Sequence, residues 1–262
     1  MRAKYILLHS IYSIIFVAIF SCSDDELSQK GFAVSASDLG SSEESNIALI
    51  EDSIGFRMQP GDILLTADSR FRLTPMYKVN YNSKKKSVFL GSNRFHTNYN
   101  NYTRDNNWHY HLIPGFVSAY GYNLVNLSIH NVKTDSNYPL FEKPVLIRTI
   151  YFPSLVIDTL NSKPVERGYL FISVYNEDSN KDGFINTLDL RRFQLFDKDG
   201  SNPRTIIPEE YSVFKSKYDP ANDYLYVYAR LDENNNGTTE MLEPVHIFWI
   251  DLKNPDLTGR QF

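Results

Sequence analysis

Residues 169–197 read YLFISVYNEDSNKDGFINTLDLRRFQLFD, and residues 224–251 read YLYVYARLDENNNGTTEMLEPVHIFWID. In each, a run rich in aromatic and β-branched residues enters a polar loop of Asp, Asn and Gly. A second such run follows, which is the pattern of two strands and a connecting turn. The first strands are expected at 169–175 and 224–230, the second at 192–197 and 246–251. Asp178 stands nineteen residues before Asp197, Asp232 stands nineteen before Asp251, and the two copies are offset by 54. At that offset Phe193 falls on Ile247 and Leu195 on Trp249, which predicts one apolar face on the second strand of both copies. A weaker third copy precedes these, with strands expected at 122–129 and 144–149. Its Glu142-Lys143-Pro144-Val145 echoes Glu243-Pro244-Val245. Further strand candidates at 115–120 and 211–218 precede the first strands.

A unit of three to four strands that recurs at such spacing is the sequence signature of propeller blades. The 207 residues from Phe56 to the C-terminus hold about four such units. The expected fold is therefore all-β, built from repeated antiparallel strand units in a propeller-like arrangement of about four blades. A β-sandwich with two similar hairpins is the alternative, because the first blade is not visible as a repeat. Nearer the N-terminus, 63–66 reads as a strand, and 76–81 with 87–90 as a hairpin. Its Lys84-Lys85-Lys86 turn is then a solvated tip.

The two polar loops carry chemistry. In 178–189, oxygen-bearing side chains occupy positions 1, 3, 5, 9 and 12, namely Asp178, Asn180, Asp182, Asn186 and Asp189. Gly183 sits at position 6, where the chain must turn sharply. Phe184 at position 7 offers its carbonyl, and Ile185 at position 8 is apolar. A hard cation such as Ca²⁺ takes six to eight oxygens, and this spacing sets them around one point. The second loop repeats the layout with Asp232, Asn234, Asn236, Gly237, the Thr238 carbonyl, Glu240 and Glu243. Its position 8 is Thr239, so it lacks the apolar pin.

The first loop resembles an EF-hand calcium loop, and more closely the dockerin variant, whose ending Asn186, Asp189 and Leu190 follow. The resemblance implies a set of calcium ligands. Strand-like runs flank both loops where an EF-hand has helices. The ligand positions therefore carry over, and neither the helical fold nor a cohesin partner does.

Other chemistry finds little support. The formal charge is −4, from 27 basic and 31 acidic side chains, which gives no footprint for a nucleic acid. One cysteine excludes an intramolecular disulfide and a cysteine-built zinc site. His109 and His111 in Trp108-His109-Tyr110-His111 would share a strand face, but no third ligand is assigned by spacing. There is no Gly-x-Ser-x-Gly, no phosphate-cradling glycine loop and no His-Glu-x-x-His.

The N-terminus reads as an address. Arg2 and Lys4 precede an apolar run to Phe20 that is too short, at ~1.5 Å per residue, to cross a ~30 Å hydrocarbon core. Ala18-Ile19-Phe20-Ser21-Cys22 then resembles the lipobox of bacterial lipoproteins. Ser23-Asp24-Asp25-Glu26 resembles the surface-export tag of lipoproteins of the Bacteroidota. These resemblances imply a signal peptide over 1–21, lipidation of Cys22 and an anchor in the outer membrane at the cell surface. Cleavage removes Arg2 and Lys4, leaving 25 basic against 31 acidic side chains, or −6. Residues 22–55 read as an acidic, Ser-rich tether, with Ile47-Ala48-Leu49-Ile50 as its apolar cluster, and 56–262 as the all-β domain. The expectation is a surface-anchored calcium-binding module that binds a glycan or protein or serves as a scaffold. A glycan-directed hydrolase with structural calcium, or a purely structural envelope protein, are the alternatives.

Overall fold

Chains this rich in Tyr, Phe, Val and Ile favour extended backbone, and antiparallel strands account for the architecture. A computed structural model describes residues 31–34, 56–82, 86–89, 91, 94–96 and 113–262. The stretch read as a signal peptide, Cys22, most of the stretch read as a tether with its 47–50 cluster, Lys84, Lys85 and the 108–111 histidine pair lie outside the described residues.

In chain order the first strands are β1 (Phe32–Ala33), β2 (Met58–Pro60), β3 (Leu64–Leu65), β4 (Phe71–Lys78), β5 (Asn80–Asn82), β6 (Ser87–Phe89) and β7 (Arg94–His96). The middle of the chain forms β8 (Phe116–Tyr120), β9 (Leu124–Asn131), β10 (Ser136–Pro139), β11 (Leu146–Pro153), β12 (Asp158–Leu160), β13 (Lys163–Val165) and β14 (Tyr169–Tyr175). The remainder forms β15 (Phe184–Ile185), β16 (Arg192–Asp197), β17 (Arg204–Thr205), β18 (Tyr211–Asp219), β19 (Tyr224–Leu231), β20 (Val245–Asp251) and β21 (Thr258–Arg260). β1 lies inside the stretch read as a tether.

An eleven-stranded sheet runs β17-β16-β14-β11-β9-β4-β2, with β3, β7, β8 and β10 attached at its sides. The C-terminal strands form a separate four-stranded meander, β18-β19-β20-β21. Small pairs β1-β15, β5-β6 and β12-β13 complete the set. Of the repeat units expected from the sequence, only the last stands apart. In the others hydrogen bonding is continuous across the unit boundary. On β14, Ile172 pairs with Ile150 of β11 on one side and with Gln194 of β16 on the other.

The two sheets meet face to face. Phe171, Phe193 and Leu195 of the large sheet share one core with Val213, Leu225, Val227, Phe248 and Ile250 of the small one. Phe171 stacks on Phe193 at 4.8 Å and meets Tyr169 edge-on at 5.0 Å. The opposite face of β14, with Leu170, Ile172 and Val174, belongs to a second core shared with β4, β9 and β11. Both faces of β14 are thus buried, so its sequence is apolar without alternation. β19 has one face in the core and alternates accordingly.

One expectation is corrected here. Phe193 and Leu195 face the shared core, but Ile247 and Trp249 lie on the outer face of β20, and Phe248 and Ile250 point inward. Leu195 pairs with Phe171, while Ile250 pairs with Leu225. The offset is therefore 54 on the first strand and 55 on the second, and a slip of one residue exchanges the faces of a strand.

At the end of the sheets away from the polar loops, a buried ion pair ties the layers. Arg167 Nη2 and Nη1 donate to the Asp223 carboxylate at 2.7 and 3.0 Å. Nη1 also donates to the Leu252 carbonyl at 2.7 Å, and Nε donates to the Pro114 carbonyl at 2.9 Å. Tyr169 OH donates to the same Leu252 carbonyl, and Tyr218 OH donates to Asp223. Burial works against the Arg167 charge, but the bond to Asp223 prevails and raises its pKa. Asp223→Ala leaves this guanidinium buried without a counter-charge and is expected to cost about 3–5 kcal/mol in urea denaturation. The double change Arg167→Met with Asp223→Leu is expected to cost clearly less.

Candidate metal centre

Each polar loop joins two strands of one sheet, 178–189 between β14 and β16, and 232–243 between β19 and β20. Both turn by the same backbone device. Residues four and six of the loop have positive φ, at Lys181 (58°) and Gly183 (87°) in the first and Asn235 (54°) and Gly237 (73°) in the second.

The side chains at positions 1, 3, 5 and 12 are held inward by the loop's own N–H groups. Asp178 accepts from the amides of Asp182 at 3.0 Å and Gly183 at 2.9 Å. Asp232 accepts from Asn236 and Gly237 at the same two distances. Asn180 accepts from Asp182, and Asn234 from Asn236, both at 3.0 Å. Asp182 accepts from the Phe184 amide at 2.8 Å, and Asn236 from Thr238 at 2.9 Å. Asp189 accepts from Asn186 at 2.7 Å, and Glu243 from Glu240 at 2.8 Å. Turn formation alone accounts for any one of these bonds. The same five recur in both loops at matching positions and agree within about 0.1 Å.

Asp189 Oδ1 is already committed to the Ser179 amide at 2.9 Å, the Ser179 hydroxyl at 3.3 Å and the Asn180 amide at 3.4 Å, whereas the oxygens of Asp178 and Asp232 each keep a lone pair beyond the one bond that they accept. In the first loop amide groups fill the interior, with Asn186 Nδ2 3.2 Å and Asn180 Nδ2 3.4 Å from Asp182 Oδ2. In the second, Asn236 Nδ2 and Asn234 Nδ2 donate to Glu240 Oε1 at 2.6 and 3.3 Å. Among the described residues no group of three or more His, Cys, Asp or Glu side chains closes into a metal cluster on its own. The donors that the loops assemble are mixed: carboxylates, side-chain amides, and the Phe184 and Thr238 carbonyls.

Two features fit a cation. Glu243 is 8% exposed, and its Oε1 is buried without a hydrogen-bond partner among the described residues. An orphaned carboxylate oxygen is costly unless a positive charge faces it. Asp189 is 2% exposed, and burial pushes its carboxyl up to about 6, although the amides of Asn186, Asn180 and Ser179 work in the opposite direction. A carboxylate so placed resists ionisation in the absence of a counter-charge.

The loops differ in what holds them. Ile185 is buried, as its position as a pin requires, and pairs with Phe32 of β1 in a small core that includes Met58, Met76 and Tyr175. Thr239 gives the second loop no such pin, and contact with the first loop replaces it. A Cβ on Gly237 would stand 1.8 Å from the Ser179 carbonyl oxygen. Ser179 Oγ donates to the Gly237 carbonyl at 2.6 Å and accepts from the Leu190 amide at 2.7 Å. Thr238 Oγ1 donates to the Leu188 carbonyl at 3.0 Å, and Asp189 forms an antiparallel bridge with Thr238. Two stretches 54 residues apart thus form one paired structure, in which a ligand position of one loop is bridged to a ligand position of the other.

The structure gathers the twelve sequence-predicted positions in the two paired loops, and the sequence reading missed Ser179 and β1. Ser179 carries no signal, since position 2 of such a loop is unconstrained. β1 did leave one, the Phe32-Ala33-Val34 run behind Gly31. Gly31 has φ 115°, and a Cβ there would stand 2.1 Å from the Ile185 carbonyl oxygen, so no side chain fits. No protein-family model matches the chain, and no curated protein matches it.

The two loop glycines separate backbone strain from loop contact. Around Gly183 no atom lies within 4 Å of an added Cβ, whereas at Gly237 the first loop blocks it. Gly183→Ala is expected to cost about 1–2 kcal/mol, the left-handed backbone penalty alone. Gly237→Ala is expected to cost measurably more in the same urea titration, because the loops must separate.

Proposed function

We propose that the chain is a surface-anchored lipoprotein of the bacterial outer membrane whose all-β domain is stabilised by calcium and serves as a binding or scaffolding module. The observation that carries the calcium reading is the fivefold hydrogen-bond pattern shared by the two loops, together with the unpartnered Glu243 Oε1. In this reading Asp178, Asn180, Asp182, the Phe184 carbonyl, Asn186 and Asp189 hold one ion. Asp232, Asn234, Asn236, the Thr238 carbonyl, Glu240 and Glu243 hold the other. The loops remain EF-hand-like in ligand order and serve two facing sheets in place of radial blades.

The ion supplies charge. Without it, Asp178, Asp182 and Asp189 repel one another within one short loop. With it, the repulsion ends and the β14–β16 turn is fixed against the β19–β20 turn. Calcium then braces one end of the two-sheet core, as Arg167 and Asp223 brace the other. The anchor reading rests on Cys22 behind the apolar run and on the acidic residues that follow it.

A binding role is favoured over hydrolysis by the outer face of the C-terminal sheet. Tyr226 and Trp249 are cross-strand neighbours there, as are Tyr228 and Ile247, and all are half-buried. Tyr224 stacks on Trp249 with ring centroids 5.5 Å apart. Partly exposed Tyr and Trp on a rigid sheet suit a glycan or protein ligand.

Calcium is expected to raise the melting temperature, with a stabilisation of about 2.7 kcal/mol for each occupied site at a hundredfold excess over its dissociation constant. That constant is expected near 10⁻⁴–10⁻³ M, on the order of other extracellular calcium modules. Asp182→Ala is expected to reduce the shift, and calorimetry to count two sites. Superimposable melting curves in calcium and in chelator would falsify the calcium reading. On a glycan or protein array, Trp249→Ala is expected to lose whatever ligand the native domain retains.

A further inference from the structure

Two consecutive residues of the second loop, Met241 and Leu242, are 89% and 98% exposed. On the adjoining first loop Leu188 is 44% and Phe184 is 39% exposed. The backbone beneath the tip is firmly held. Arg230 Nη1 donates to the carbonyls of Met241 at 2.8 Å and Glu240 at 3.2 Å, and Glu243 holds the Glu240 amide. Large apolar side chains on a fixed backbone that present themselves to water mark a contact surface.

The path of the chain says what lies opposite. β1 pairs with β15 of the first loop. Gly31 is fixed there by its amide on Asn123 Oδ1 at 3.0 Å and by Lys78 Nζ on its carbonyl at 2.6 Å. Gly31, the described residue from which the sequence leads back to Cys22, therefore lies at the loop end of the domain. Eight residues separate Cys22 from Gly31, so nine residue steps join them. Fully extended, they span no more than about 30 Å. We propose that the paired loops are the membrane-facing end of the domain, with Met241 and Leu242 seated at the boundary between headgroups and acyl chains of the bilayer that anchors Cys22. This inference rests on the lipoprotein reading above. Calcium contributes by neutralising loop carboxylates that would otherwise be desolvated against the surface.

The fold contains a competing tip. Leu155, Val156 and Ile157 are 56%, 74% and 73% exposed. They follow the end of β11 that pairs with Phe116 and lie at the opposite end of the sheets from the loops. The two tips cannot both face one bilayer.

The test uses the full lipidated chain in phosphatidylcholine–phosphatidylethanolamine vesicles with excess calcium. The only cysteine carries the lipid, so a thiol introduced as Leu242→Cys or Val156→Cys is uniquely labelled with a polarity-sensitive fluorophore. Brominated lipid is expected to quench the label at position 242 several-fold more than the label at 156. Equal quenching, stronger quenching at 156, or a 242 label shielded by a second copy of the chain and untouched by lipid would overturn this orientation and leave the anchor intact. Mass spectrometry showing no acyl group on the mature chain would instead remove the anchor, and the orientation with it.

Discussion

The architecture depends on the backbone contact between Gly237 and Ser179. Each sheet contributes one hairpin to the shared core, and each hairpin turns through a twelve-residue polar loop. Only a glycine lets the second loop lie against the first, since a Cβ there would overlap the Ser179 carbonyl. The Ser179 hydroxyl completes the junction by bonding Gly237 and Leu190 together. Two-layer β folds need their layers fixed in rotation as well as apposed, because apolar burial is non-directional. This junction and the Arg167–Asp223 pair at the far end supply that fixed angle. The side chains of the core between them supply the bulk of the burial.

The two ends use opposite electrostatic solutions. At the far end a buried guanidinium meets its carboxylate, and the remaining donors find the Leu252 and Pro114 carbonyls, so charge is balanced within the chain. At the loop end carboxylates accumulate, and among the described residues no cationic side chain hydrogen-bonds to Asp178, Asp182, Asp189, Asp232, Glu240 or Glu243. Backbone amides satisfy part of their demand, but an amide dipole does not cancel a full charge. Burial raises the pKa of Asp189, and burial likewise leaves one oxygen of Glu243 without a partner among the described residues.

Much of this was legible in the sequence because it is local. The strand at 192–197 is legible to the residue, and the hydrogen-bond positions shared by the two loops follow from short-range spacing within each. What the sequence did not disclose is non-local. Which strand neighbours β14 depends on hydrogen bonds to β11, and β14 is apolar throughout because it serves two cores, so no alternation marks its faces. The faces of β20 were misread for a different reason. The alignment was anchored on Asp197 and Asp251, and one additional residue between Glu243 and the strand exchanged inside for outside. In a structure with a period of two, an alignment that is sound for loops can be wrong for every side chain beyond them.

The same logic gives β1 its importance. Four residues ordered at the edge of a domain lose backbone entropy of roughly 1–2 kcal/mol each. A two-residue strand cannot recover that from its ladder bonds alone, at about 1 kcal/mol per bond. Burial of Phe32 against Met58, Met76 and Ile185, and the bonds of Gly31 to Asn123 and Lys78, add to them. Ile185 belongs to the first loop, so the small core that holds the incoming chain exists only when that loop is closed. Loop closure, layer angle and the placement of β1 are thus set by one cluster of residues, and the cation proposed at Asp189 would act on all three.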